Sequence, residues 1–438
     1  MSDIPGQQQP EVKAHVPGPN SKSCSERLKD VECRGITYAG EDFPVFWERA
    51  LGCNVWDVDG NRFVDLTAAF GVASCGHSHP DLAAVASKQS ETLLHGMGDV
   101  HPPRVKLEFL EKLQASTPGD LTGAILGQNG ADAVEAALKA AYLHTNRPGI
   151  IAFGSAYHGL SGMALEVTDF DAFRGPFSAY MGNHVKVFPY PASDEALVEL
   201  WAGLDDWMAN NAVGAILAEP IQGRGGVVIP PNGFLQGLRQ RADGVQTVLI
   251  LDEIYTGFSR TGKAFACDWA GVVPDLLCLG KALTGGFPLS VTVGLPRVME
   301  SWPVSTGEAI HTSTFLGNPV GCALASRSLG LHQELKLAER AHRMGDWALS
   351  FLQKKLNDCS WIVDIRGRGM MLGIECIPYP SGVPRAVDLM GKMLQRGYIT
   401  LPSGPGSHVL SLSPPLVITE GQWEVALNHV VELLLEMD

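Results

Sequence analysis

At 438 residues the chain exceeds what one ordinary hydrophobic core organises, so two or more packed units are expected. Hydrophobic residues make up 45% and charged residues 18%, the balance of a globular protein rather than a disordered one. The net charge of −14 argues against a nucleic-acid groove or an anionic membrane surface as partner, and no apolar run nears the ~20 residues of a membrane span. Nine scattered cysteines without a CxxC pair point to reduced thiols rather than a disulfide frame or a zinc site; no metal is expected. The opening MSDIPGQQQP lacks the basic and apolar parts of a secretory signal, so a cytoplasmic location is expected.

Residues 1–30 mix Pro, Gly, Gln, Ser and Lys without apolar periodicity and read as a flexible tail. VWDVDGNRFVDL (55–66) alternates around Asp59-Gly60, a hairpin signature within an N-terminal segment, 31–95. Residues 104–115 and 131–144 read as helices. The stretch 140–290 alternates short apolar runs with helical patterns, as a parallel sheet covered by helices requires. These belong to a large unit spanning 96–330. Beyond it, 331–438 reads as a C-terminal α+β unit: one long helix at 332–357, strands near 361–365 and 371–376, and helices at 386–396 and 421–436.

Four runs share one pattern. GIIAFGSAYHG (149–159), AVGAILAEP (212–220), TVLILDEIYTG (247–257) and DLLCLGKALTGG (275–286) are each apolar and end in a polar or glycine-rich turn. Buried parallel strands have this form, and open α/β sheets bind ligands beyond the carboxyl ends of their strands. The four ends would gather Tyr157, His158, Glu219, Asp252 and Lys281 on one rim. A single carboxylate in such a place commonly caps a helix; four such ends with a lysine among them suggest chemistry.

Lys281 decides which chemistry. An enclosed lysine loses basicity and becomes a neutral, nucleophilic amine. A phosphate-loop lysine would need glycine at 275 and Ser or Thr at 282, where this chain has Asp275 and Ala282. A Schiff-base lysine is the remaining specific reading. Asp252 then supplies the carboxylate that keeps a pyridine nitrogen protonated. Alternation places Ile254 on the same side, flat against a ring face, with Glu253 turned away in a structural role. GQNGADAVEAALKAA (127–141) opens a helix after a glycine turn, offering the backbone N–H groups of Gly130 and Ala131 to a bound anion. GRGMMLG (367–373) has the wrong last spacing and context for a dinucleotide site.

Together these motifs, with GHSHP (76–80), AEPIQGRGG (218–226), LDEIYTGFSRTG (251–262) and HTSTFLGNP (311–319), resemble the class III aminotransferases. The resemblance spans roughly residues 40–430. It implies an α/β, fold-type I pyridoxal-phosphate enzyme with a mainly parallel seven-stranded sheet. A smaller α+β domain from both chain ends would complete it. It further implies that Lys281 carries pyridoxal 5′-phosphate and Asp252 meets the ring nitrogen. Gly130 and Ala131 would hold the phosphate, Ala131 standing where Ser or Thr is usual. Tyr157 would stack on the ring beside His158, with Ile254 on the other face and Tyr255 near the phenolic oxygen, where many members carry glutamine. Thr314 would reach the phosphate of a neighbouring subunit, implying a homodimer with shared sites.

One departure bears on substrate. In HVLSLSPPLVIT (408–419), Ser411 stands where members that use 2-oxoglutarate place a carboxylate-clamping arginine, and Glu219 then lacks its usual partner. A hydroxyl cannot replace a two-donor fork. The expected activity is ping-pong transfer of an amino group from an amine, amino sugar or amino acid to a carbonyl acceptor, as in aminoglycoside-type biosynthesis. An arginine from elsewhere, Arg224 or Arg174, is the other way to meet a carboxylate. Alternatives with the same residues are an aminomutase, an epimerase, a decarboxylase or a diaminobutyrate-type transaminase. A cofactor-binding protein without turnover fits the joint presence of Lys281 and Asp252 poorly.

Overall fold

The computed structural model describes residues 6–13, 15–40 and 42–437. Among the described residues the strands are β1 (Trp47–Leu51), β2 (Asn54–Asp57), β3 (Arg62–Asp65), β4 (Gly123–Gly127), β5 (Gly149–Phe153), β6 (Val185–Phe188), β7 (Val213–Ala218) and β8 (Val248–Asp252). They continue with β9 (Leu276–Leu279), β10 (Ser290–Gly294), β11 (Ile362–Gly367), β12 (Leu372–Cys376), β13 (Tyr398–Ile399), β14 (Leu401–Ser403) and β15 (Val409–Leu412).

The central sheet has seven strands in the order β4-β10-β9-β8-β7-β5-β6. All run parallel except β10, which is antiparallel to both neighbours. Strands β7, β8 and β9 are buried along their whole length, which is why their sequences are unbroken apolar runs instead of alternating ones. The fold-type I architecture is as expected, and the carboxyl ends of β5, β7, β8 and β9 lead into the site described below.

The smaller unit draws on both ends of the chain. The 55–66 hairpin forms β2 and β3 as its alternation indicates, and β3 pairs in parallel with β13, Val64 opposite Tyr398. Cys53, Val64 and Leu66 share one apolar core with Leu412, Leu416 and Trp423. Strands β11, β12, β15 and β14 form a further antiparallel sheet.

Two local expectations are corrected. Within the segment read as a flexible tail, Pro19–Val31 is a helix. The carboxylate of Asp59, at the hairpin turn, accepts from the N–H groups of Asn20 (2.7 Å) and Ser21 (2.9 Å) and so caps that helix from another part of the chain. Residues 1–5 and 14 of the tail lie outside the described residues. The single helix expected at 332–357 is two, Pro319–Glu334 and Leu337–Lys355, broken at Lys336 with φ 48°. Leu331 and Leu337 both enter the small-unit core, and on one continuous helix of 3.6 residues per turn they would face apart.

Candidate active site

Tyr157, His158, Glu219, Asp252 and Lys281 lie at or just beyond the carboxyl ends of β5, β7, β8 and β9. Asp252 closes β8. Its Oδ2 lies 2.7 Å from Nδ1 of His158, and its Oδ1 accepts from the N–H of Ile254 at 3.0 Å. Both side chains are buried, and His158 is further fixed by its N–H bond to Oγ1 of Thr168 (2.9 Å). Nε2 of His158 is buried without a hydrogen-bond partner among the described residues.

Lys281 follows β9 at the start of a short 3₁₀ turn, with φ 44°. A left-handed backbone is uncommon for a residue with a Cβ and marks a held conformation. Nζ lies 4.0 Å from the ring centroid of Tyr255. The residue is only partly buried, yet its ammonium is enclosed. That burial pulls it down to about 8, against the opposing pull of the Asp252 and Glu219 carboxylates, while Arg224 and Arg260 add to the lowering.

Tyr255 is wedged in place. A Cβ on Gly71 or Gly223 would come within 2.4 Å and 2.3 Å of its ring, so both positions need glycine. Its hydroxyl shares a 2.6 Å hydrogen bond with Oγ of Ser413, tying the site to the small unit. Arg260 makes a second tie: fully buried, it donates to the carbonyls of Met370 (3.0 Å) and Pro414 (2.7 Å) and to Ser74 Oγ (3.2 Å).

Glu219 is not the free carboxylate anticipated. Its Oε1 accepts from the N–H of Tyr157 (3.1 Å) and its Oε2 from the N–H of Gly223 (2.9 Å), so it bridges two turns. Burial raises it to about 7; His158 opposes the rise and Asp252 reinforces it. Glu253 turns away as expected, accepting from Ala266 N–H, Cys267 N–H and Thr256 Oγ1.

The helix Gly130–Thr145 opens at the rim with a capping box: Asn129 Oδ1 accepts from Asp132 N–H (3.1 Å), and Asp132 Oδ2 from the N–H of Asn129 (3.3 Å) and Gln128 (2.8 Å). Helix geometry leaves the Gly130 and Ala131 N–H groups without an internal acceptor, the arrangement that binds an anion. A Cβ on Gly130 would lie 3.0 Å from Cδ1 of Ile254, so the helix start abuts the apolar residue expected on the ring face. Ala131 packs against Gly159, where a Cβ would fall 2.7 Å from its own. Thr314 is exposed on the loop after residue 300, and the adjacent Ser313 Oγ accepts from Gln128 Nε2 at 3.0 Å.

Ser411 lies on β15 between Gly373 of β12 and Leu401 of β14, its hydroxyl bonded to that of Ser403. Sequence reading missed the roles of Ser413, Thr168, Phe170 and Phe173, which are distant in sequence or sit in irregular chain without a motif. Arg224, weighed there only as a substitute clamp, stands over the rings of Tyr157 (5.3 Å), Phe170 (5.9 Å) and Phe173 (5.0 Å).

The residues present fit pyridoxal phosphate. An enclosed amine of lowered basicity, a buried carboxylate braced by histidine, an open helix N-terminus and an apolar Ile254 match its aldehyde, ring nitrogen, phosphate and ring face.

The class III aminotransferase family model matches residues 37–434. The chain is 34% identical to the alanine/serine racemase of Pyrococcus horikoshii over 96% of this chain and 92% of that protein. It is likewise 34% identical to the putrescine aminotransferase of Pectobacterium atrosepticum, over 92% of this chain and 85% of that one. Its fold matches the crystal structure of the ornithine aminotransferase of Toxoplasma gondii with a TM-score of 0.85 and 28% identity, over 95% of each chain.

Proposed function

The chain belongs to the class III aminotransferases, and from that premise we propose that it moves an amino group from an amine, amino sugar or amino acid to a carbonyl acceptor, using Lys281 as its covalent lysine. The observation that carries this reading is the enclosed Nζ of Lys281, lowered to about 8, on the same rim as the buried Asp252–His158 pair. Bound pyridoxal phosphate supplies the electron sink for charge left on the substrate carbon. Asp252 holds a proton on the ring nitrogen, and His158 fixes the orientation of that carboxylate. The amine of Lys281 takes a proton from the substrate carbon and returns it one bond away. Glu219 holds the Tyr157 and Gly223 turns, so that the tyrosine ring is placed before substrate arrives. The donor leaves as a carbonyl before the acceptor binds, which gives ping-pong kinetics.

Ser411, without a guanidinium, supports an amine or amino sugar as donor over a dicarboxylic amino acid, and the putrescine aminotransferase is a relative named for an amine substrate. Thr314 is exposed in the single chain, which suits a contact with a second subunit's phosphate in a homodimer. The nine cysteines are scattered without a CxxC pair, which supports a reducing, cytoplasmic setting. Among the described residues no helix is long and apolar enough to cross a membrane.

A second reading rests on the racemase relative: the proton taken from the substrate carbon, returned to the opposite face of that same carbon, inverts a centre without a second substrate. One experiment separates them. The purified enzyme is given a panel of amines with and without a carbonyl acceptor, and the cofactor spectrum and products are followed. Transfer requires the acceptor for sustained turnover; racemisation does not. Lys281→Ala is expected to abolish turnover and the visible absorption of the lysine-bound cofactor. Wild-type turnover in that variant would refute the role given to Lys281.

A further inference from the structure

If Ser411 offers no positive charge, a substrate carboxylate must be met elsewhere or not at all. The cations near the site sort clearly. Arg260 is consumed by two carbonyls and a hydroxyl. Arg366 is held by the carbonyls of Val227 (2.9 Å) and Gly226 (2.6 Å) and by Glu375 (2.5 Å). Arg174 pairs with Asp169 at 3.2 Å. Arg224 has no carboxylate within ion-pair distance among the described residues, and it is exposed.

Its setting is built. The guanidinium faces three aromatic rings, those of Tyr157, Phe170 and Phe173, all within 6 Å. Such rings attract the cation and limit its motion while leaving its hydrogen-bonding edge free. The backbone is anchored as well: the carbonyl of Arg224 accepts from Gly404 N–H at 2.9 Å, which fixes this loop against the turn between β14 and β15. Gly226 of the same loop lies against Val409 on β15, two residues from Ser411. Arg224 therefore stands on the wall to which Ser411 belongs, and its charge reaches Lys281.

We propose that Arg224 is the specificity-determining carboxylate anchor of this enzyme, and that the acid-bearing substrate is a monocarboxylate, such as a simple 2-oxo acid acceptor. One free guanidinium offers one two-donor fork, which suits one carboxylate and leaves a second without a partner. The inference rests on the aminotransferase reading and adds a substrate class to it.

The test uses the cofactor-loaded enzyme with an amine donor from the panel above. Acceptor use is measured as kcat/KM for pyruvate, 2-oxoglutarate and the neutral aldehyde propanal. Binding of propionate, which cannot react, is followed separately by perturbation of the cofactor spectrum. In Arg224→Gln the pyruvate-to-propanal ratio is expected to fall on the order of 30-fold, and the propionate dissociation constant to rise by a similar factor, as loss of a charge-assisted contact implies. Arg224→Lys, which keeps the charge and loses the fork, should fall between. The wild type should prefer pyruvate to 2-oxoglutarate. A change below about threefold in both the ratio and propionate binding would overturn the proposal. So would a wild-type preference for 2-oxoglutarate, or a larger effect from Arg174→Gln. Absence of transfer with every acceptor would instead sink the aminotransferase reading, with propionate binding still reporting on Arg224.

Discussion

Asp252 shows how much one side chain does through its neighbours. Both of its oxygens are engaged, one by His158 and one by the Ile254 N–H, so its charge is oriented before any ring nitrogen meets it. In Asp252→Asn the amide oxygen can still accept from Ile254 and the fold should survive, but a neutral amide cannot hold the ring nitrogen protonated. The donor half-reaction, followed in single turnover, should slow by well over tenfold, more than about 1.4 kcal/mol of barrier. A smaller loss would mean that another group supports the ring. At this scale Asp252 and Lys281 are legible in the sequence, because each ends an apolar run with a residue that burial disfavours. Glu219 is legible as a position but not as a role. Both its partners are backbone N–H groups, and no pattern of side chains encodes them.

The helix Gly130–Thr145, proposed to meet the phosphate, depends for its placement on Gly159. With φ 124° and Ala131 close by, Gly159 admits the helix start where a larger residue would push it away. Gly159→Ala should weaken pyridoxal phosphate affinity by about tenfold or more, since a Cβ in that backbone region alone costs on the order of 1–2 kcal/mol. Gly175→Ala, with open space around its Cβ, serves as the control and should titrate like the wild type. The strands were readable at this scale, since β5, β7, β8 and β9 are runs with clear ends. The break at Lys336 was not, because it answers to the burial of Leu331 and Leu337 in a core built from distant chain. The helix Pro19–Val31 escaped for a similar reason: its sequence has no apolar stripe, and its cap comes from Asp59.

At the scale of the whole molecule, assembly bears on the completeness of the site. If Thr314 serves a neighbour's phosphate, Lys281→Ala and Thr314→Ala protomers should complement. In a hybrid dimer one site would combine an intact lysine with an intact threonine. Equal mixing should then restore about a quarter of wild-type sites, from half the dimers with one good site each. Hybrids no more active than their parents, given a measured defect for Thr314→Ala alone, would rule out a shared site. The seven-stranded sheet was readable from the alternation of apolar runs and helical stretches over 140–290. The pairing of β3 with β13 was not, because a two-residue strand carries no periodicity.

That pairing bears on how the chain is made. The hairpin bearing Val64 and Leu66 leaves the ribosome early, while its partner Tyr398 is synthesised some three hundred residues later. At about 5–20 residues per second the interval is tens of seconds. Throughout it an apolar hairpin face waits uncovered, a target for a holding chaperone. The central sheet has all its strands once Gly294 emerges, so it can close first. A nascent chain stopped before Tyr398 would carry Lys281 without Ser413, and so without the bond that secures Tyr255.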